Sequence, residues 1–386
     1  MPRSESRTRR HQCDVAIIGA GPAECAAALR LTELGADVAL VVELARPDLL
    51  SIPETLAPEV NGAIQKLGLW SQFCGTFTRA QAQGLAAAWG QDLVAVHDFL
   101  CSPFGFGWHV DRAQLNAFLQ AQVRARGAAY FSGRLNGARL SPVGYELQIV
   151  STEADLETVQ ARWVVDATGR QAVFARRFAG ARRRTLHHLI GLYGLFQGSE
   201  PRTSPAGSFA LVESVETGWW YSAQAGEGQL SVGFLTDPGH CHAARLRDAG
   251  RWQQQLSLTV FTRQRIPAGG RLIGGPLAVA AASSALAETW GPRWAAVGDA
   301  ACAYDPLAGQ GVLHALRSGI EVAEEVWRSL NGGTKDGLSR YGESTRRRFE
   351  RYLERHRQHY SAEGRWPRSP FWARRRTPTL AEPCNE

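Results

Sequence analysis

Two glycine-rich turns, far apart in the chain, carry the residue types that grip a dinucleotide. The first is Cys13-Asp-Val-Ala-Ile-Ile-Gly19-Ala20-Gly21-Pro22-Ala23-Glu24, an apolar run entering a glycine turn and then an alanine-rich segment. Strand, turn and helix in that order seat a pyrophosphate on the N–H groups of the helix terminus. The second is the apolar run Trp294–Val297 followed by Gly298-Asp299, then Asp305-Pro306-Leu-Ala-Gly309-Gln310-Gly311 and a new helical run. A carboxylate at Asp299 suits ribityl hydroxyls. A helix entered through Gly309-Gln310-Gly311 aims its partial positive charge at a flavin pyrimidine ring. One such turn fits any dinucleotide; the pair, in this order, points to FAD.

Other residues join this set by position. Glu43 closes the second apolar strand, at the spacing expected of an acid that binds the adenosine ribose. Arg112 begins a helical stretch, where it suits either a phosphate or a salt bridge with a neighbour. Asp166 and Gly169 follow the buried run Arg162–Val165 as Asp-Ala-Thr-Gly. Glu24 is a departure, because the third position of the turn favours glycine for close helix–strand packing. A carboxylate there suits the helix dipole but opposes a dianionic ligand, so it either points away or weakens the cofactor site. Glu54 and His109 are candidates for proton transfer; Glu54 equally suits capping of the helix near Pro58, and His109 a structural hydrogen bond. Trp219, Trp220 and Tyr221 are candidates for an aromatic cleft wall, although strand alternation sends neighbours to opposite faces.

These residues need a scaffold. Asp14–Ile18, a helix over Pro22–Leu34 and the strand Asp37–Val42 read as a βαβ unit. A loop over Ser51–Trp70 contains a short helix, Glu59–Leu67. Asp111–Arg126 has helical periodicity, with Leu115, Phe118, Leu119 and Val123 on one face. Leu135–Val150 reads as a hairpin. Leu189–Phe196, Phe209–Val215, Gly218–Ala223 and Gln229–Leu235 alternate like antiparallel strands. Helices are expected around Ala243–Leu258, Val312–Trp327 and Ser339–His359, before an irregular Trp/Pro tail. The predicted fold is α/β: a discontinuous Rossmann-like FAD-binding domain (13–75, 108–184 and 286–335), an inserted antiparallel substrate sheet (76–107 and 185–285), and a helical C-terminal segment (336–386). A cleft between sheet and nucleotide fold is the place for chemistry.

Composition bounds the rest. The chain has 386 residues, 44% hydrophobic and 20% charged, with a net charge of +7. That describes an ordinary globular protein. No apolar stretch reaches the length of a membrane span, and the polar, basic start, Met1–Arg10, lacks a secretory apolar segment, so a cytoplasmic protein is expected. Cysteines 13, 25, 74, 101, 241, 302 and 384 are scattered, without a C-x-x-C pair, which predicts no disulfide or zinc framework. His240-Cys241-His242, the one dense soft-ligand cluster, is not read as a metal site. Arginine-rich runs near the C-terminus suit a solvated helix face or an acidic partner protein. No nucleic-acid motif accompanies them.

Taken together, Gly19-x-Gly-Pro-Ala23, Glu54-Thr-Leu-Ala-Pro58, Asp166-Ala-Thr-Gly169, Gly218-Trp-Trp-Tyr221 and Gly298-Asp-Ala-Ala…Asp305-Pro-Leu-Ala-Gly-Gln-Gly311 resemble the flavin-dependent halogenase/monooxygenase superfamily. The resemblance runs over about residues 13–375, including the tail Arg365–Trp372. It resembles in particular the LodB-like flavoproteins of tryptophylquinone maturation. It implies a glutathione-reductase-type FAD fold and oxygenation of an electron-rich aromatic through a flavin C4a-hydroperoxide. The implied substrate is an aromatic, such as a tryptophan of a partner protein or peptide, with NAD(P)H or a separate flavin reductase as electron donor. Halogenation is disfavoured. The stretch Ala80–Trp89, which corresponds to the segment of the halogenase lysine, contains none. Trp219-Trp-Tyr-Ser-Ala223 lacks the halogenase Trp-x-Trp-x-Ile-Pro, and Ala308-Gly309-Gln310 lacks hydroxyls for a halide. The competing readings are an FAD-dependent reductase or dehydrogenase of unsaturated substrates, and a non-catalytic maturation partner.

Overall fold

Val15–Ile17 and Val38–Val41 are essentially without solvent exposure, as central parallel strands covered on both faces must be. The computed structural model describes residues 10–43, 53–78, 80–151, 155–198, 209–226, 228–334 and 336–376. The basic start of the chain, Ser51 and Cys384 lie outside the described residues. β1 (Arg10–Gly19), α1 (Pro22–Glu33) and β2 (Val38–Val42) form the opening βαβ unit. β3 (Pro53–Leu56), α2 (Val60–Lys66), α3 (Trp70–Thr76), β4 (Gln81–Ala82), β5 (Gly84–Ala88), β6 (Ala95–Asp98) and β7 (Gly107–Asp111) lead to α4 (Arg112–Ala125). The meander β8 (Ala129–Ser141), β9 (Gly144–Ser151) and β10 (Leu156–Ala167) precedes α5 (Val173–Arg177) and β11 (Arg183–Thr185). Then come β12 (Ile190–Gln197), β13 (Phe209–Val215), β14 (Gly218–Gly226), β15 (Gln229–Thr236), α6 (Pro238–Ala243), α7 (Ala249–Ser257) and β16 (Arg271–Ala280). The chain returns through β17 (Ser284–Leu286), β18 (Trp290–Gly291), β19 (Trp294–Ala296) and β20 (Cys302–Ala303) to α8 (Gly311–Leu330), α9 (Asp336–Ala362) and α10 (Pro370–Arg376).

In the first sheet β1 lies between β2 and β10, all parallel, and β10 pairs in parallel with β19. The carboxyl ends of β1, β10 and β19 therefore lie side by side, bringing Gly19, Ala167 and Gly298 to one crevice. Open α/β sheets bind ligands at such ends. α1 is alanine-rich because α8 presses against it: a Cβ added at Gly319 would lie 2.4 Å from the Ala23 carbonyl and 3.0 Å from Ala26 Cβ. Gly19 is also obligatory, since its φ is +150° and a Cβ there would approach the Ala167 carbonyl oxygen to 2.4 Å.

The second sheet has the order β16-β12-β15-β14-β13-β5-β6. It is antiparallel except where β5 pairs in parallel with β13. Its faces separate neighbouring aromatics. Trp220 packs with Phe234 and Trp252 under α7 in one core, whereas Trp219 faces Tyr360 and Trp372 of the C-terminal helices. Glu213, buried beside Trp220 in the register, accepts hydrogen bonds from the N–H groups of Val260, Phe261 and Thr262 and from the Thr262 hydroxyl. That carboxylate anchors the loop after α7.

Two expectations are corrected. The single helix around Ala243–Leu258 is two helices, because Arg245 adopts φ +52° and Asp248 starts α7 by accepting from the Arg251 N–H. The tail is not wholly irregular either: Pro370 opens α10, and its Phe371 and Trp372 bury against the second sheet. His240, Cys241 and His242 lie on α6, where Cys241 turns into the core. Among the described residues no helix is long and apolar enough to cross a membrane.

Trp220 is 1% exposed, so Trp220→Ala should lower unfolding free energy by about 3–5 kcal/mol. Urea denaturation measures this. A loss below 1 kcal/mol would show that the core under α7 does not depend on that ring.

Candidate active site

The glycine turn after β1 is open where a ligand needs room: a Cβ added at Gly21 would meet nothing within 4 Å. The same holds at Gly309 and Gly311. Neither α1, entered through Gly21, nor α8, entered through Gln310, has a side-chain cap. Two long helices thus present uncapped N–H groups, which suit a pyrophosphate and an electron-rich ring edge. Ala20, Pro22 and Ala23 complete the first turn, and Gly298 sits close enough to Ala23 that a Cβ would reach its methyl at 2.8 Å. Glu43 is exposed at the end of β2, free to meet a ribose. Asp299 is partly exposed, 3.5 Å from Arg170 Nε. Arg183 donates to the carbonyls of Asp299 and Ala300, fixing this turn from behind. Burial lowers the Arg183 guanidinium to about 10. These groups fit FAD.

Asp166 has a different role from the one its motif suggests. It is fully buried and accepts from the Thr168 N–H, the Thr168 hydroxyl and the Ala175 N–H. Its oxygens brace the turn through Gly169 rather than reach a ligand. Gly169 itself has open space beside it.

Glu24 stays out of the opening. Its side chain has no exposure, and neither oxygen has a hydrogen-bond partner within the protein. Burial pushes its carboxyl well above the ordinary range. A neutral acid does not repel a pyrophosphate, so the departure is compatible with the cofactor. Holding that proton penalises folding once the unfolded carboxyl ionises. Relative to wild type, Glu24→Met should therefore gain stability from about pH 4.5 upward, by at most ~1.4 kcal/mol per pH unit until the folded group ionises. Paired denaturation curves from pH 4 to 8 measure the difference. A difference that does not change with pH would mean that Glu24 is charged in the folded protein.

Opposite the cradle stands the second sheet. Tyr193, Gly233 and Tyr221 form one cross-strand row. Gly233 leaves space that the Tyr193 ring fills, since a Cβ there would lie 2.5 Å from that ring. The Tyr221 hydroxyl meets Thr55 Oγ1 at 2.7 Å, and Thr55 meets His109 Nδ1 at 2.9 Å. This relay joins the second sheet to the β3–β7 pair. Burial raises the Tyr221 phenol to about 12, so it stays protonated near neutrality. Burial, reinforced by Tyr221, Glu54 and Asp305, raises Tyr193 further still.

Glu54 does not cap α2. Its carboxylate binds Arg112 at 2.7 Å, while Asp111 caps α4 by accepting from the Gln114 N–H. Of the three proposed wall residues, only Tyr221 joins this relay. Trp219 and Trp220 are each 1% exposed and belong to cores.

Residues that sequence reasoning did not single out meet behind the Asp-Pro turn. The buried Asp305 carboxylate accepts from the Leu307 N–H at 2.9 Å, Tyr360 Oη at 2.8 Å and His356 Nε2 at 3.0 Å. His187 Nε2 stands 3.7 Å away and stacks on His356. Trp219 Nε1 donates to Tyr360 Oη, carrying the chain of hydrogen bonds into the second sheet. Burial alone would raise Asp305, but the adjacent His187 and the hydrogen bond from His356 hold its carboxyl well below the ordinary range. Stability from this group is present above about pH 4 and is lost as pH falls toward the folded-state value. Asp305→Asn should cost about 1–3 kcal/mol at pH 7. The gap to wild type should narrow on acidification below pH 4, as read by tryptophan fluorescence. A gap that widens in acid would contradict a carboxylate at this position.

Residues 75–386 match the tryptophan halogenase family. The FAD-dependent oxidoreductase LodB of Marinomonas mediterranea is 27% identical over 367 residues, covering 94% of this chain and 96% of LodB. The flavin-dependent halogenase CmlS superposes with a TM-score of 0.85 at 24% identity, covering 97% of this chain and 68% of CmlS. The peptidyl tryptophan dihydroxylase QhpG, essential for tryptophylquinone cofactor biogenesis, gives a TM-score of 0.69 at 24% identity, over 95% of this chain and 79% of QhpG. The two solved structures share the fold: an α/β FAD-dependent halogenase/monooxygenase architecture with mixed sheets and C-terminal helices.

Proposed function

This chain belongs to the tryptophan halogenase family of FAD-dependent oxidoreductases, and from that premise we propose that it hydroxylates an electron-rich aromatic, specifically a tryptophan side chain carried by a partner protein or peptide. The observation that carries this reading is that the stretch Ala80–Trp89 holds no lysine and that, among the described residues, no lysine stands by the Tyr221 relay. The sequence contains two lysines, Lys66 and Lys335. Lys66 lies on α2 with its ammonium 3.0 Å from Glu324 of α8, in an ion pair away from the Tyr221 relay. Lys335 lies outside the described residues. The Ala308-Gly309-Gln310 segment offers no hydroxyl for a halide. The similarity to LodB along nearly the whole chain, and the fold shared with a peptidyl tryptophan dihydroxylase, support oxygenation of a peptide-borne ring.

When bound, FAD supplies the activation of O2 to an electrophilic oxygen. In the proposed arrangement Gly19, Ala20, Gly21, Pro22 and Ala23 would hold the pyrophosphate on α1. Glu43 would accept from the ribose, Asp299 would accept from the ribityl chain, and Pro306, Gly309, Gln310 and Gly311 would line the isoalloxazine edge. Arg112, fixed by Glu54, supplies positive charge at the start of α4. Tyr193 and Tyr221 wall the substrate side and keep water out. In this reading the Tyr221–Thr55–His109 chain takes the proton released when the hydroxylated ring regains aromaticity. Such a group contributes about 10²-fold or more.

The test is mass spectrometry of tryptophan-containing peptides incubated with the protein, reduced FAD and 18O2 in chloride- and bromide-containing buffer. The expected product carries one or two 18O atoms and no halogen. His109→Gln should lower the rate of product formation by about 100-fold while leaving FAD content unchanged. A halogenated product, or anaerobic reduction of an unsaturated substrate without oxygen incorporation, would replace this reading.

A further inference from the structure

The electron supply has no place in the site described so far, yet the structure contains a second concave, strongly basic region. Between the start of α8 and the middle of α9 lies a groove of about 440 Å³, lined by Arg317, Arg351 and Arg355, with Leu307, Ala308 and Gln310 along one side. No carboxylate lines it. Among the described residues none of these three exposed arginines has an ion pair, whereas Arg348, also on the groove wall, is held bidentately by Glu321 at 2.6 Å through each nitrogen. Elsewhere on α9, Arg346 pairs with Glu350 and Arg347 with Glu343, while Arg340 and Arg357, like the groove arginines, have no ion pair among the described residues. What sets the groove apart is that three such guanidinium groups line one concavity. Like charges placed together without counter-charge repel one another, and a concave wall confines the repulsion; an anionic ligand relieves it.

We propose that this groove is a second binding site, which recognises the pyrophosphate of a reduced dinucleotide arriving with electrons for the cofactor. Arginine forks match phosphate oxygens bidentately, and one from α8 facing two from α9 suits a diphosphate better than a single carboxylate. The volume is that of a small-molecule site rather than a flat docking face. The position fits the task as well. Leu307, Ala308 and Gln310 belong to the Asp305–Gly311 turn, whose exposed side lines the proposed isoalloxazine berth. A dinucleotide in the groove therefore lies across one loop from the place of reduction. The inference rests on that placement of FAD and deepens the proposed oxygenase reading. Two sources share the chemistry: a reduced nicotinamide dinucleotide, and reduced FAD in transit from a reductase.

The experiment is calorimetric titration of the FAD-loaded protein with inorganic pyrophosphate, NADPH, NADH and free FAD, in wild type and in R317A/R351A/R355A. Wild type should bind pyrophosphate and at least one dinucleotide, with affinity falling as salt rises. The triple variant should bind at least tenfold more weakly, with its visible flavin spectrum and melting temperature unchanged. Arginine-dependent binding of NADPH or NADH identifies the nicotinamide source; arginine-dependent binding of free FAD alone identifies transit from a reductase. Equal binding by wild type and variant, or no binding of pyrophosphate or any dinucleotide, would overturn the site. Arginine-dependent binding without oxygen incorporation into peptides would leave the groove intact and remove the oxygenase reading instead. Loss of FAD from the variant would also count against the proposal, because it would assign these arginines to the first site.

Discussion

A single buried carboxylate organises the region where three parts of the molecule meet. Asp305 begins the turn leading into α8, and its oxygens are held by that turn's own backbone and by Tyr360 and His356 of α9. Tyr360 in turn receives the Trp219 indole from the second sheet. The turn, the C-terminal helix and the sheet therefore share one hydrogen-bonded anion. A buried charge is tolerated only with its partners in place, and removing one partner typically costs about 3–5 kcal/mol. The same energetics make the arrangement specific: few other placements of α9 would satisfy Asp305. The helical C-terminal segment is thus part of the site's support.

The second sheet divides its work by face. Strand alternation places Trp220 in the core under α7, and Trp219 and Tyr221 on the opposite face, where Trp219 meets the C-terminal helices. Within the inward face, glycines decide where rings go. Gly233 opens the space that Tyr193 fills, and Tyr221, one strand further, keeps its hydroxyl for Thr55. Glu363 makes a comparable clasp at the rim. It accepts from Ser214, Arg365 and the Gly90 N–H, fastening the end of α9 to the same sheet. Burial would raise that carboxyl, but these donors, Arg365 foremost, hold it down at about 2.

Charge follows a similar logic. Nearly all the positive charge is arginine, since 43 basic residues include two lysines. Most of the partly buried arginines serve as braces: Arg183 holds the Asp299 turn, Arg112 holds Glu54, and Arg375 reaches Asp237. Planar, multiply donating guanidinium groups suit such positions better than a lysine ammonium. The unmatched arginines gathered between α8 and α9 depart from this pattern, as does Glu24, a buried acid whose carboxyl burial pushes well above the ordinary range.

How much was legible in advance depended on distance along the chain. The glycine turns, the βαβ unit, the aromatic strands and the long C-terminal helix could be read because turn chemistry and side-chain periodicity act over a few neighbouring residues. The break at Arg245 escaped because a left-handed residue and a capping aspartate leave only a faint mark in an otherwise helical pattern. Asp166 looked like a ligand because its motif is local, but its engagement with Ala175 depends on where the next helix lands. Asp305 showed itself only as part of an Asp-Pro turn. Its partners lie 51 and 55 residues away, and nothing in the intervening helix marks His356 or Tyr360 as facing it. The sequence alone determined the cofactor class and the order of elements, since both arise from short-range geometry. Which carboxylates are braced, neutral or free was decided by tertiary packing, because burial and hydrogen-bond partners exist only once distant segments have met.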